Sequence, residues 1–196
     1  HTHTTHPTHS VAKENIMTDP LINSDHPLRP EMPREAELWD TAARVPDPEI
    51  PVISIADLGI LREVGFDGTT AVVTITPTYS GCPAMGQITD DISRELAKAG
   101  YKDVRVETVL QPAWTTDWIT ETGQRQLKEF GIAPPQGNAK RASGPILLDL
   151  APPPRIVCPL CGSNDTQEVS RFGSTSCKAL FTCNSCFEPF DYFKVH

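Results

Sequence analysis

The chain has 196 residues, with 17 Lys plus Arg against 25 Asp plus Glu, a formal net charge of −8. An acidic surface does not track nucleic-acid phosphates, which require a basic stripe. No run approaches the roughly 20 apolar residues of a membrane span, and the polar N-terminus lacks the apolar stretch of a secretory signal. The composition therefore predicts a cytoplasmic protein with no nucleic-acid or membrane partner.

Residues 1–33 read as a disordered His/Pro-rich tail without hydrophobic periodicity. His1, His3, His6 and His9 form a His-Thr tract. It reads as low complexity or an added remnant, with weak metal binding as the alternative. Residues 34–45 read as a helix with Leu38, Ala42 and Val45 on one face. Pro46, Pro48 and Pro51 then impose an extended loop. Leu58 to Phe66 and Thr69 to Thr76 read as a hairpin turning at Asp67-Gly68.

A helix is predicted from near Pro83 to Gly100, with Met85, Ile88, Ile92, Leu96 and Ala99 as its buried stripe. Val104 to Leu110 reads as a third strand. Residues 116–130 read as one weaker helix carrying Trp118, Ile119, Leu127 and Phe130. This order predicts an α+β fold, a small two-layer domain over residues 34–132. A Pro-rich linker over 133–154 and a cysteine-dense unit over 155–196 complete the predicted organisation.

Cys158-Pro159-Leu160-Cys161 and Cys183-Asn184-Ser185-Cys186 form two CxxC knuckles. Such pairs aim two sulfurs at one ion, so a structural zinc ribbon held by Cys158, Cys161, Cys183 and Cys186 is predicted. A redox dithiol is the weaker reading, because a unit this small needs a metal or staple to fold. Within 155–196, Arg155, Arg171, Lys178 and Lys194 balance Asp165, Glu168, Glu188 and Asp191. That neutrality points to protein contacts rather than nucleic acid. Phe187, Phe190, Tyr192 and Phe193 read as packing the ribbon onto its neighbour or filling its core. Cys177 is an extra thiol beside Lys178, either an alternative ligand or a buried small side chain.

Cys82 lies where the second helix begins. A helix N-terminus stabilises an anion and lowers a thiol, which then attacks electrophiles or binds soft metals. The reading beside it is a buried small hydrophobe. No histidine of the predicted domain stands ready as an activating base, which disfavours a Cys-His hydrolase. On their own, Asp47, Glu49 and Asp57 read as loop and cap residues.

Together, Asp47-Pro48-Glu49-Ile50-Pro51, Asp57-Leu58-Gly59 and Thr78-Tyr79-Ser80-Gly81-Cys82-Pro83 resemble the iron–sulfur cluster assembly domain family. Pro112 to Ile119, Gly131 to Pro135, Phe172 to Thr175 with Cys177-Lys178-Ala179, and Glu188 to Lys194 resemble one branch of it. That branch is the D subunits of phenylacetyl-CoA epoxidase systems, in aerobic phenylacetate catabolism. The resemblance spans residues 34–194 and implies a maturation factor, not the oxygenase. Its partners would be the oxygenase and reductase subunits. It also implies a transient iron or iron–sulfur site at Cys82, shaped by Thr78, Asp57 and Glu49. One thiolate cannot complete a cluster alone, so a homodimer is one way to supply more ligands. The alternative is a docking subunit with no metal beyond zinc. The chain itself lacks a diiron helix-bundle motif, a dinucleotide fingerprint and a plant-type ferredoxin pattern.

Overall fold

A computed structural model describes residues 23–136 and 155–195. The His-Thr tract and most of the Pro-rich linker lie outside these residues. Helix α1 spans Pro33–Ala42, with Pro33 in its first turn, where a missing amide donor costs nothing. Leu38, Trp39 and Ala42 are buried along its inner face. Strands β1 (Leu61–Asp67) and β2 (Thr70–Ile75) pair antiparallel with Asp67 opposite Thr70. Gly68 takes φ +61 in the turn between them, which its missing Cβ permits.

Helix α2 (Ala84–Lys98) crosses over to β3 (Val104–Thr108), which pairs parallel with β2. A parallel partner cannot be reached by a tight turn, so the intervening helix is a topological necessity. Inward residues of β2 (Ala71, Val73, Ile75) meet Leu38 and Trp39 of α1 and Ile88, Ile92 and Leu96 of α2 in one core. This is the expected α+β layer. Met85 only flanks the core, and Ala99 is exposed because α2 has ended at Lys98.

Three expectations change. Residues 116–130 are not one helix: a 3₁₀ turn at Thr116–Trp118 is followed by extended Ile119, and α3 runs over Glu121–Glu129. Thr120 accepts the Gly123 amide at 3.0 Å and so starts a new helix where the old one was expected to continue. Leu127 remains buried, but Phe130 is exposed. Residues 23–32, expected within the disordered tail, are described and pinned. His26 is buried against Trp39, with Nε2 3.1 Å from the Ala56 carbonyl oxygen. Burial lowers the His26 pKa, against the Ala56 carbonyl and the Asp57 charge.

The third change is at the linker. Ile132–Ala133 is strand β4, which pairs parallel with β7 (Pro189–Phe193) at the edge of the ribbon sheet. Strands β5 (Thr166–Ser170) and β6 (Lys178–Cys183) complete a sheet of order β4-β7-β6-β5. The first domain therefore contributes a strand to the ribbon. In return the ribbon contributes Phe193 and Cys177 to the first domain's core, with the Phe193 ring 6.0 Å from Trp114. Phe190 and Tyr192 stay in the ribbon's own core around Phe181. Phe187 faces solvent at 81% exposure.

The Asp57-Leu58-Gly59 motif has a backbone explanation at its last residue. Gly59 sits at φ +79, and a Cβ there would lie 2.7 Å from Trp118 Cβ and 3.0 Å from the Trp118 carbonyl oxygen. Gly59→Ala combines a left-handed backbone with a clash. It is expected to destabilise the fold by about 3 kcal/mol, read as a shift of the urea midpoint. An unchanged midpoint would show that this loop yields easily.

Candidate metal centres

The two CxxC knuckles are built alike. In the first, the Cys158 amide donates to the Ser163 carbonyl, and the Gly162 amide returns to the Cys158 carbonyl, both at 2.9 Å. In the second, the Cys183 amide donates to the Glu188 carbonyl at 3.0 Å and the Phe187 amide to the Cys183 carbonyl at 2.9 Å. Gly162 (φ +76) and Phe187 (φ +63) hold equivalent left-handed positions. The turns bring Cys158, Cys161, Cys183 and Cys186 together, with all four sulfurs within 4.8 Å of one another. Cys158–Cys186 and Cys161–Cys183 are separated by 3.8 and 3.5 Å. Thiolates about 2.3 Å from a tetrahedral ion stand roughly 3.8 Å apart, so the donor set fits one.

Four thiols this close compete for protons. Although the Ser163 amide favours its thiolate, hydrogen bonds with Cys183, Cys186 and Cys158 push Cys161 up to about 12. The Cys186 and Ser185 amides outweigh burial and bring Cys183 down to about 6. A divalent cation ends that competition by taking all four as thiolates.

The second centre surrounds Cys82. The Cys82 amide donates to the Tyr79 carbonyl at 3.2 Å, folding residues 79–82 into a turn just ahead of α2. The Ala84 amide and the Thr78 hydroxyl favour the ionised form of the half-buried thiol. The helix start does not lower this thiol as expected. Burial pushes it above its ordinary range, and the Glu49 and Asp47 carboxylates push the same way, outweighing the amide and the hydroxyl.

Asp47 is only 6% exposed, and its Oδ1 accepts the Glu49 and Ile50 amides, each at 2.9 Å. This bond set turns the Pro48-bearing loop and presents Glu49 beside the thiol. Burial, followed by the Asp47 charge, raises the Glu49 carboxyl, while Lys178 and the Thr175 hydroxyl oppose them.

The structure thus brings together Cys82, Thr78 and Glu49. It does not bring Asp57 to them. The Asp57 carboxylate accepts from Asn23 Nδ2 at 2.9 Å, from Ser54 Oγ at 3.2 Å and from the Thr120 hydroxyl. Asp57 therefore ties residue 23 and the start of α3 to the loop before β1, and its lone pairs are committed there.

Sequence reasoning missed what the ribbon brings to Cys82. The Ser176 side chain lies near the Tyr79 hydroxyl, and the Thr175 hydroxyl lies near the Glu49 carboxylate. Lys178 is 4% exposed, with Nζ 3.6 Å from Asp191 Oδ2, and its charge reaches Asp47 and Glu49. The only signal in the sequence was Cys177 with its adjacent lysine.

Known proteins share this two-part organisation. Residues 35–108 match the family model described as iron-sulfur cluster assembly protein, and residues 143–194 match that described as PaaD zinc beta ribbon domain. An Escherichia coli (strain K12) protein, named as the putative D subunit of 1,2-phenylacetyl-CoA epoxidase, is 46% identical over 162 residues, covering 83% of this chain and 93% of its own. Two proteins named as Fe-S protein maturation auxiliary factors are similar over the first domain. The one from Porphyromonas gingivalis (strain ATCC BAA-308 / W83) is 36% identical over 41% of this chain and 78% of its own. The one from Bacillus subtilis (strain 168) is 39% identical over 38% and 74%. With both family models matched in order and nearly the whole length of the E. coli relative covered, the chain belongs to the D-subunit family of phenylacetyl-CoA epoxidase systems.

Proposed function

We propose that this protein is a cytoplasmic accessory factor that helps mature an iron or iron–sulfur centre of the multicomponent phenylacetyl-CoA epoxidase. Its partners in this reading are the oxygenase and reductase subunits. It is accessory rather than catalytic, in keeping with the auxiliary-factor names of its relatives. The observation that carries the reading is the Cys82 thiol. It lies just ahead of α2, near the Ala84 amide, the Thr78 hydroxyl and the Glu49 carboxylate. A soft thiolate beside a hard carboxylate is a donor set suited to iron cargo. Ser176, Thr175 and Lys178 of the ribbon lie near Tyr79 and Glu49, the residues flanking it. Zinc held by Cys158, Cys161, Cys183 and Cys186 keeps the ribbon folded.

The test is the iron, sulfide and zinc content per chain after anaerobic reconstitution, in wild type and Cys82→Ser side by side. Zinc near one in both, with iron and sulfide lost only in the variant, is the expected result. Equal iron in both would remove Cys82 from the site.

A docking role with no metal beyond zinc is the second reading. The exposed apolar side chains Phe187, Phe172, Leu160 and Val169 on the ribbon favour it. It predicts a complex with the oxygenase subunits that survives gel filtration and tolerates Cys82→Ala.

A further inference from the structure

The first domain's sheet runs β1-β2-β3, so among the described residues β3 is paired on one side only. The ladder fixes which groups its open edge presents. At one end the Ala71 amide donates to the Asp103 carbonyl, and at the other the Val109 amide donates to the Ile75 carbonyl, each at 2.9 Å. Ala71 lies opposite Val104, and Ile75 opposite Thr108. The backbones of Arg105 and Glu107 therefore turn toward β2, and the N–H and C=O groups of Val104, Val106 and Thr108 turn outward. The side chains of Val104 and Val106 rest half-buried against the core. Arg105 and Glu107 alternate with them on the opposite face, about half exposed and bonded to each other at 2.8 Å, with Asp67 3.1 Å from Arg105. At the other edge of the sheet, β1 is broken by an irregularity between Leu61 and Glu63, which spoils regular pairing there.

We propose that the open edge of β3 is the docking surface for a second copy of this chain, paired antiparallel about a two-fold axis at Val106. The run Val104-Arg105-Val106-Glu107-Thr108 is self-complementary in that arrangement. Val106 faces Val106 of the second copy, and Val104 faces its Thr108. Outward backbone groups thus meet outward backbone groups, as hydrogen-bonded pairs require. Arg105 then faces Glu107 of the second copy, twice by symmetry, at the non-hydrogen-bonded positions where cross-strand side chains come closest. A one-residue slip sets outward groups against ladder-facing ones and moves every side chain to the wrong face. The next register on one side puts Arg105 against Arg105, and on the other Glu107 against Glu107, each a destabilising like-charge pair. Charges on an edge strand commonly discourage pairing. Here their signs admit one register and reject its neighbours. This surface is independent of the proposed role of Cys82.

The test is sedimentation equilibrium of the full chain over a wide range of concentration, with amide exchange followed at both ends of the range. Two short strands bury little area, so the association is weak and concentration-dependent. The expected result is a monomer–dimer equilibrium in which the Val104, Val106 and Thr108 amides exchange more slowly as concentration rises. The Arg105 and Glu107 amides, already bonded to β2, should not change. Arg105→Glu and Glu107→Arg each set like charges against each other across the axis and should weaken the dimer at least about tenfold. Both side chains are exposed, so both variants should keep the wild-type circular dichroism. An equimolar mixture of the two variants restores opposite charges at both positions and should dimerise as wild type does. A chain that stays monomeric at its highest soluble concentration would overturn the proposal. So would a dimer indifferent to both substitutions, because it uses another surface. Equally slow exchange of the three outward amides at every concentration would also overturn it, since the same chain would then already cover this edge.

Discussion

Cys183→Ser is expected to unfold the ribbon and to damage the distant Cys82 site as well. Zinc binding supplies roughly 10–16 kcal/mol toward folding in small zinc modules, more than a ribbon core of this size replaces. That core is small: Ile156, Ala179, Phe181, Phe190 and Tyr192 with Cys158 and Cys183 themselves. Cys183 ends β6, and Lys178 begins it, one residue after Cys177. The same strand therefore joins the zinc ligand to the residues beside Glu49 and Tyr79. Loss of zinc should release β4 from β7, visible as faster amide exchange at Ile132 and Ala133, and should reduce iron loading at Cys82. A chelator-stripped chain that keeps slow exchange in β6 and β7 would show that metal is dispensable to the ribbon.

Phe193→Ala should cost about 3–5 kcal/mol, the range for emptying a fully buried aromatic site. Phe193 is 0% exposed and lies in the first domain's core against Trp114, although it belongs to the ribbon's last strand. Its loss removes packing between the two units rather than within either. The urea transition should move to lower concentration and split, with the ribbon losing contact first. Phe187→Ala is the control. Its ring is exposed and an alanine there keeps the same left-handed backbone, so a change within about 0.5 kcal/mol is expected. Equal effects from the two would mean that Phe193 does not join the units.

Local chemistry settled a good part of this protein in advance. The helical repeat of Ile88, Ile92 and Leu96, the β-branched run of β2 with its Gly68 turn, and the spacing of the two CxxC knuckles all act over a turn or a hairpin. Each is therefore readable from neighbours in the chain, and so was the place of Cys82 just ahead of α2. The continuous helix over 116–130 failed for a local reason of another kind. Thr120 can cap a new helix as well as it can continue an old one, and only its bonds to Gly123 and Asp57 decide between the two.

Tertiary structure decided the rest, because the deciding contacts join residues far apart in sequence. Asp57 looks like a site residue beside Glu49, but Asn23 and Thr120, 34 and 63 positions away, occupy its oxygens. Four clustered aromatics divide into ribbon core, shared core and solvent according to which side of β7 each lies on, and whether it lies on β7 at all. The Cys82 thiol rises instead of falling because folding buries it beside two carboxylates, a desolvation that chain position alone does not express. Thr175 comes near the Glu49 loop because β4 and Phe193 lock the ribbon against the first domain, which sets segments from opposite ends of the chain side by side.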